Sequence, residues 1–274
     1  MAARRVFWRG ATLAAGLGLG ALALAALLAP WLALRDPDSI DIAARLGAPS
    51  LRHWLGCDAL GRDVLARIVY GARVSLAVGL TAAVGSTLVG TVLGAVSGYA
   101  GGWVDELMMR SADVLMCIPS LFLVLTLIVV LGPGIFNVVL VIILTGWTDI
   151  ARLVRGEVLS LKQRDFVLAA RGSGATPARV LFKHVLPNAL GPVYVALTFG
   201  IAGAILMESG LSFLGLGVQP PTPSWGGMLA DGRDTLQEAW WLVVYPGLAI
   251  LGTLLLVNQL GEAVRRHFDP KGAA

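Results

Sequence analysis

Five stretches of the chain carry no Asp, Glu, Lys or Arg: residues 11–34, 74–104, 114–148, 184–207 and 239–261. Each is long enough as a helix to cross a hydrocarbon core of about 30 Å, for which roughly 20 residues suffice. One charge at mid-span would cost about 2.5–3.5 kcal/mol, so uncharged runs of this length mark membrane segments. The run 114–148 is too long for one crossing, and Leu131-Gly132-Pro133-Gly134 interrupts it with residues that favour a tight turn over a continuing helix. The pattern predicts six spans, about 11–33, 76–98, 112–131, 135–152, 189–210 and 240–261, and an all-α integral membrane protein.

Composition agrees. The chain is 57% hydrophobic and 14% charged, against roughly 25% charged in a soluble domain. An even number of spans puts both termini on one side, and Lys and Arg choose the side. With the termini inside, the inner segments hold Arg4, Arg5, Arg9, Arg110, seven bases between Arg152 and Lys183, and three at the C-terminus, fourteen against seven outside. That bias predicts cytoplasmic termini. The outer segment 35–73 cuts against it with six arginines, offset by five aspartates. The first apolar run is 24 residues long, beyond the roughly 7–15 of a cleaved signal, so it is read as an uncleaved helix.

Several local features refine this frame. Val64, Leu65, Ile68 and Val69 recur at helical spacing beside Arg62 and Arg67, which predicts a short interfacial helix before the second span. Ser86, Gly90, Gly94 and Gly98 step by four and line one face of that span, as close helix contacts require. Pro119 removes a backbone donor within the third span and should bend it, as a static kink or a gate. Asp113 and Asp149 fall near predicted inner span ends. Glu208, at or near the outer end of span five, is a candidate pathway or gating residue because acids within membranes are functional candidates by default. Past it, Pro220, Pro221 and Pro223 stiffen an outer loop, and Trp225, Trp240 and Trp241 suit an interfacial aromatic belt.

The chemistry missing from the chain narrows its function. Lys162, Lys183 and Lys271 are followed by Gln, His and Gly, so no phosphate-cradling GxxxxGK loop with a following Ser or Thr occurs and the chain should not hydrolyse ATP. Cys57 and Cys117 lie in different regions, and His53, His184 and His267 are far apart, so spacing assembles no metal site or catalytic triad. Intramembrane charge is too scarce for an ion-coupled carrier, and no inverted repeat shows in the motifs. What remains is a pathway-forming component driven from elsewhere, with a stand-alone six-span channel or carrier as the rival and a membrane enzyme behind it.

The longest inner loop, 152–188, points to where that drive enters. Arg152, Arg155, Lys162, Arg164, Arg171, Arg179 and Lys183 alternate with Val167, Leu168, Val180, Leu181, Phe182 and Val185. Two helical pieces are predicted, one ending near Gly172–Gly174 and the next capped by Thr176 with Pro177 as first helical residue. Such a piece can dock in a groove of a soluble partner or rest on anionic headgroups.

Leu168-Ala169-Ala170, then Gly174, then His184-Val185-Leu186-Pro187 resembles the EAA loop of binding-protein-dependent ABC importer permeases. His53-Trp54-Leu55-Gly56-Cys57-Asp58, GRDVLARIVYGARVSL, ESGLSFLGLGVQPPTPSWGGMLADGR and Tyr245–Ile250 resemble the second permease of dipeptide, oligopeptide and nickel importers, so the likeness covers most of residues 50–270. The resemblance implies a type I ABC importer permease fold, with an N-terminal helix and outer loop over 1–72, a permease domain over 73–262 and a cytoplasmic tail over 263–274. It implies a place in a bacterial inner membrane, contact with lipid and no nucleic-acid partner. A sister permease, two ATPase subunits holding ATP and Mg, and an extracytoplasmic solute-binding protein would complete the machine, and the chain would hold no cofactor or metal of its own. Leu168, Ala169, Ala170, Gly174, Thr176, Pro177, Arg179, Phe182, Lys183 and Pro187 would form the surface that the ATPase grips. Leu168 stands where the family has Glu, so a polar contact of that acid is missing. Di- or oligopeptides are the expected substrates, with nickel complexes or glutathione-like peptides as alternatives.

Overall fold

The computed structural model describes residues 2–31 and 35–268, with side chains from residue 10 onward. Ten α-helices carry the described chain: α1 (Ala2–Leu27), α2 (Val64–Ala100), α3 (Gly102–Met116), α4 (Ser120–Leu131), α5 (Ile135–Leu161), α6 (Asp165–Gly172), α7 (Pro177–Arg179), α8 (Leu186–Phe213), α9 (Trp225–Arg233) and α10 (Trp241–Phe268). A π-turn over Val180–Val185 joins α7 to α8. Five helical stretches are long and apolar enough to cross a membrane unaided: Gly10–Leu27, Val64–Ala100, Ile135–Leu161, Pro177–Phe213 and Trp241–Phe268.

The sixth predicted span is where hydropathy misleads. Residues 112–131 are not one helix, because α3 and α4 meet at a bend of 90°. Pro119 explains the break: it donates no hydrogen bond and disfavours helical geometry at the residue before it. The chain therefore leaves helix at Met116 and starts again at Ser120 with Pro119 as its N-cap. Carboxylates of α3 pair with Arg152 and Arg155 of α5, whereas Val124 and Ile128 of α4 pack with Val138, Val141 and Leu211. The two helices are thus long and apolar enough to cross only as a bent pair, a broken span or a re-entrant loop, with the elbow between them at 117–119. Gly132 and Gly134, both at positive φ, then turn the chain into α5. Asn137 closes that turn by donating to the Leu131 and Gly132 carbonyls at 2.9 and 3.0 Å.

A second expectation also changes. The interfacial helix and the second span are a single helix of 37 residues, running through the expected domain boundary at 72–73. Asp63 caps it by accepting from the Ala66 N–H at 2.9 Å, and Gly101, at φ +67°, ends it. Of the two arginines that interrupt its apolar pattern, Arg67 is turned into the protein and is 4% exposed, whereas Arg73 is exposed.

The core runs along α2, which packs most extensively on α5. Ser86, Gly90, Gly94 and Gly98 face α5 along this seam: Ser86 donates to the Ile142 carbonyl at 3.2 Å. A Cβ added at Gly90 would lie 2.6 Å from the Trp147 carbonyl oxygen, and one at Gly98 would lie 2.9 Å from that of Arg155. Backbone approach of this kind replaces side-chain bulk with van der Waals contact, the association that lipid permits. α10 runs antiparallel to α1, Leu256 and Leu260 lying on Gly18 and Gly16. The described chain ends thus lie together at the end bearing residues 162–185, here the loop end. The opposite, cap end carries residues 35–63 and 214–240.

Candidate functional site

At the loop end the polypeptide builds a two-faced surface. α6 starts with Asp165 and finishes with Arg171, the charge order that a helix dipole favours. Gly174 then takes φ +82°, open to left-handed geometry without a Cβ penalty. The Gly174 and Ala175 N–H groups donate to the Arg171 and Ala170 carbonyls at 3.0 and 3.1 Å, closing the end of α6. Thr176 accepts from the Arg179 N–H at 3.3 Å, and Pro177 opens α7. α7 is a single turn and continues through the π-turn, where the Leu186 N–H reaches back to the Leu181 carbonyl. Asn188 donates to the His184 carbonyl at 2.7 Å, serving an acceptor beside the point where Pro187 offers no donor.

The inner face of this surface is apolar. Val167, Val180, Leu181 and Val185 are buried against Val154 and Val158 of α5, Ala95 of α2, and Ala189 and Val193 of α8. A branched apolar side chain fully withdrawn from water contributes about 1.5–3 kcal/mol, so this cluster seats the loop firmly. Polar ties add to it. Lys162 donates to the Gly98 carbonyl at 2.9 Å, and the Arg171 guanidinium lies 5.3 Å from the centre of the Tyr99 ring.

The outer face is left open. Leu168 and Phe182 are more than half exposed and Phe166 nearly so. Ala169, Thr176, Pro177, Arg179, Lys183 and Pro187 are exposed around them, and Ala170 is half-buried. Three of the seven bases expected on the loop are not presented. Arg152 and Arg155 lie on α5 and pair with acids of α3, and Lys162 is turned onto α2. Arg155 holds Asp105 through two hydrogen bonds of 2.6 Å, and Ser97 donates to the same carboxylate. Sequence reading missed Asp105, Tyr99 and Asn188, since nothing in their local pattern says that they meet the loop's base.

The remaining candidates lie elsewhere. Pro119 sits at the α3–α4 elbow, exposed. Pro187 lines an open crevice of about 750 Å³ between the loop ends of α5, α8 and α10, beside Glu157, Asn188, Arg265 and Phe268. Glu208 is wholly buried near the cap end of α8 and receives hydrogen bonds from Ser75, Ser209 and Ser212. Trp225 is fully buried and Trp241 nearly so, their indoles donating to the Ile68 and Cys57 carbonyls at 3.0 and 3.2 Å, so neither joins an exposed aromatic belt. Trp240 alone of the three is half exposed. No cluster of metal-ligating side chains forms among the described residues.

Residues 90–272 match the family described as binding-protein-dependent transport system inner membrane component. The chain belongs to that family. A dipeptide transport system permease protein of Alkalihalophilus pseudofirmus is 42% identical over 248 residues, 90% of this chain and 82% of the relative. An oligopeptide transport system permease protein of Bacillus subtilis is likewise 42% identical over 248 residues, 90% and 81% of the two chains. A solved structure of the methionine ABC transporter MetNI in inward-facing conformations superposes with a TM-score of 0.61 at 17% identity, over 74% of this chain and 96% of that one. The permease therefore has the type I ABC importer fold, and the two-faced loop end lies within its family-matched region.

Proposed function

We propose that this permease forms half of the translocation pathway of an ATP-driven importer of di- or oligopeptides, gripped at its loop end by separate ATPase subunits. The observation that carries the reading is the two-faced loop. One face is anchored to α2, α5 and α8, and the other offers Leu168 and Phe182 among Arg179 and Lys183, exposed among the described residues. An amphipathic helical piece with uncovered apolar anchors and a basic rim fits a groove on a soluble partner. The names of the relatives support peptides as cargo, and the family's description supports an inner membrane as the location.

In this reading a sister permease completes the pathway, two ATPase subunits hold ATP and Mg, an extracytoplasmic binding protein delivers the peptide, and the loop end with both termini is cytoplasmic. The mechanics follow from continuity. α7, the π-turn and α8 form one rod of 37 residues, about 55 Å at 1.5 Å per residue. Closure of the ATPase pair would move α6 and α7. The apolar seat and the Lys162 tie would pass that motion to α2 and α5, rocking the bundle as a rigid body.

Gly174→Val is the test, measured in the complete transporter in liposomes. The substitution places a β-branched residue at positive φ while meeting no neighbour, since nothing lies within 4 Å of a Cβ there. The permease should stay in the membrane with its partners, while peptide uptake per ATP hydrolysed falls about tenfold, a typical coupling magnitude. Normal uptake with normal ATPase stimulation would sink the coupling role, and failure of the parent permease to bring down two ATPase chains would sink the importer reading itself.

A further inference from the structure

Glu208 is fully buried, and no Lys, Arg or His lies within ion-pair distance of it among the described residues. Its carboxylate is instead the centre of a hydroxyl relay. Ser212 donates to Oε1 at 2.8 Å, and its own oxygen accepts the Val218 N–H at 3.1 Å. Ser75, across on α2, donates to Oε2 at 3.1 Å and accepts the Trp225 N–H at 3.3 Å. Each hydroxyl thus spends its proton on the acid and its lone pair on the backbone of the cap. Two carboxyl oxygens, each accepting a serine proton, set this polarity. An amide in its place would turn an NH2 group, with two donors and no acceptor, towards one serine, whose hydrogen would lose its partner.

The relay joins three elements at one point. α9 lies so close to α8 that a Cβ on Gly226 would come within 2.6 Å of the Ser209 Cα and 2.8 Å of the Ser212 Cβ. The Trp225 indole is bolted to the Ile68 carbonyl of α2. At its far end α9 is held again, Asp231 lying 3.6 and 3.7 Å from Arg62 and Arg67. Glu208 also stands on the same continuous rod that begins at Pro177, 31 residues further along, or about 46 Å away.

We propose that Glu208 is a positioning residue: the buried joint that fastens the cap, α9 and the loop before it, to α2 and to the far end of the α7–α8 rod, so that movement at the loop end reaches the cap in step. This rests on the importer reading and adds to it a route from the ATPase grip to the opposite face. Glu208 handles no substrate in this role. Its hydroxyl partners face the protein's own backbone, and the side chain is sealed from any open space.

The experiment uses the complete transporter in liposomes, with Thr222→Cys on the exposed cap loop in a Cys117→Ser background. The rate of labelling by a membrane-impermeant maleimide is measured with and without ATP and vanadate. In the parent the rate should change on nucleotide trapping. Glu208→Gln should keep basal ATP hydrolysis and thermal stability while its nucleotide-dependent change shrinks about fivefold or more, the lower range of coupling effects. Ser212→Ala should lose part of the response. A response in Glu208→Gln equal to the parent's overturns the joint. Should that variant fail to accumulate, a parental response in Ser212→Ala overturns it equally. A parent that hydrolyses ATP with an unchanged labelling rate overturns the joint as well, whereas a permease that brings down no ATPase chains overturns the importer reading beneath it.

Discussion

The two ends of this permease solve opposite problems with the same residue types. At the loop end arginines and lysines stand out in water around exposed Leu168 and Phe182, and the fixed part of the structure lies beneath them. At the cap end the central charges are sunk, with Asp38 and Asp231 about half exposed at the rim. Arg67 is 4% exposed, donates to the Pro37 carbonyl at 3.2 Å, and lies 3.6 to 3.7 Å from Asp38, Asp58 and Asp231, while Arg62 pairs with Asp58 at 2.6 Å. His53 adds a 2.9 Å contact to Asp63, the cap of α2. A buried ion pair is costly to break and adds little net energy, so this network chiefly fixes shape. An exposed base adds little to stability and much to recognition. The comparison separates an open face with a basic rim from one built to hold its form.

Substitutions can break that contrast, and the largest effect belongs to the cap. Arg67→Ala empties a buried site and takes from buried Asp58 one of its two bases, which should cost about 3 kcal/mol, read as a marked fall of the thermal midpoint in detergent. An unchanged midpoint would mean that the cap's charges are solvated and the contrast is false. Next comes the seam between the two ends. A side chain at Gly94 would run into the Ala151 backbone, so Gly94→Leu should cost at least the roughly 1–3 kcal/mol of overpacking and lower yield as well as midpoint. A smaller effect is expected at the loop end, where Thr176→Ala removes a cap worth about 1 kcal/mol. Its mark should be faster hydrogen exchange at 176–185 with little change in global stability. A drop as large as that of Arg67→Ala would put the loop among the shape-holding parts.

The smallest effect sharpens the contrast chemically. Burial, then the nearby Asp63 and Asp58, pushes the Cys57 thiol from 9.0 up to about 11, whereas Cys117 is exposed at the α3–α4 elbow. At pH 8 only about one Cys57 in a thousand would be thiolate, so a maleimide should modify Cys117 in folded protein and reach Cys57 only on unfolding. Because the folded thiol holds its proton above the unfolded value, its contribution is whole below pH 9 and is lost as pH rises towards 11. Equal labelling of the two cysteines would show the cap to be open.

Much of the loop end was legible because its signals are local. Thr176, Pro177 and Gly174 each state a backbone requirement within four residues, and the helix boundaries follow them. The elbow was not legible: uncharged residues on both sides of Pro119 satisfy a hydropathy window whether the helix bends slightly or turns through 90°. The reach of α2 past its apolar run was hidden for a related reason, since Arg73 bounds the uncharged run and Arg67 reads as part of a separate interfacial helix until Asp58 and Asp231 are seen to receive it. The tryptophans misled because an indole has one apolar body and one donor, which suits an interface or a buried carbonyl equally well. Carbonyls of Ile68 and Cys57, distant in sequence, decide between them.

The π-turn between α7 and α8 has a consequence of angle. Each residue in an α-helix advances the azimuth by about 100°, and a π-turn accommodates an extra residue without breaking the rod. Deleting one residue from 180–185 would return that stretch to ordinary pitch and swing α6 and α7 about a quarter-turn around the axis of α8. Phe182 would then point somewhere other than outward, and the buried valines with it. The heading of the open face is thus set by a count of residues, and removal of a buried one, Val180, Leu181 or Val185, would re-aim it while keeping Phe182 and Lys183.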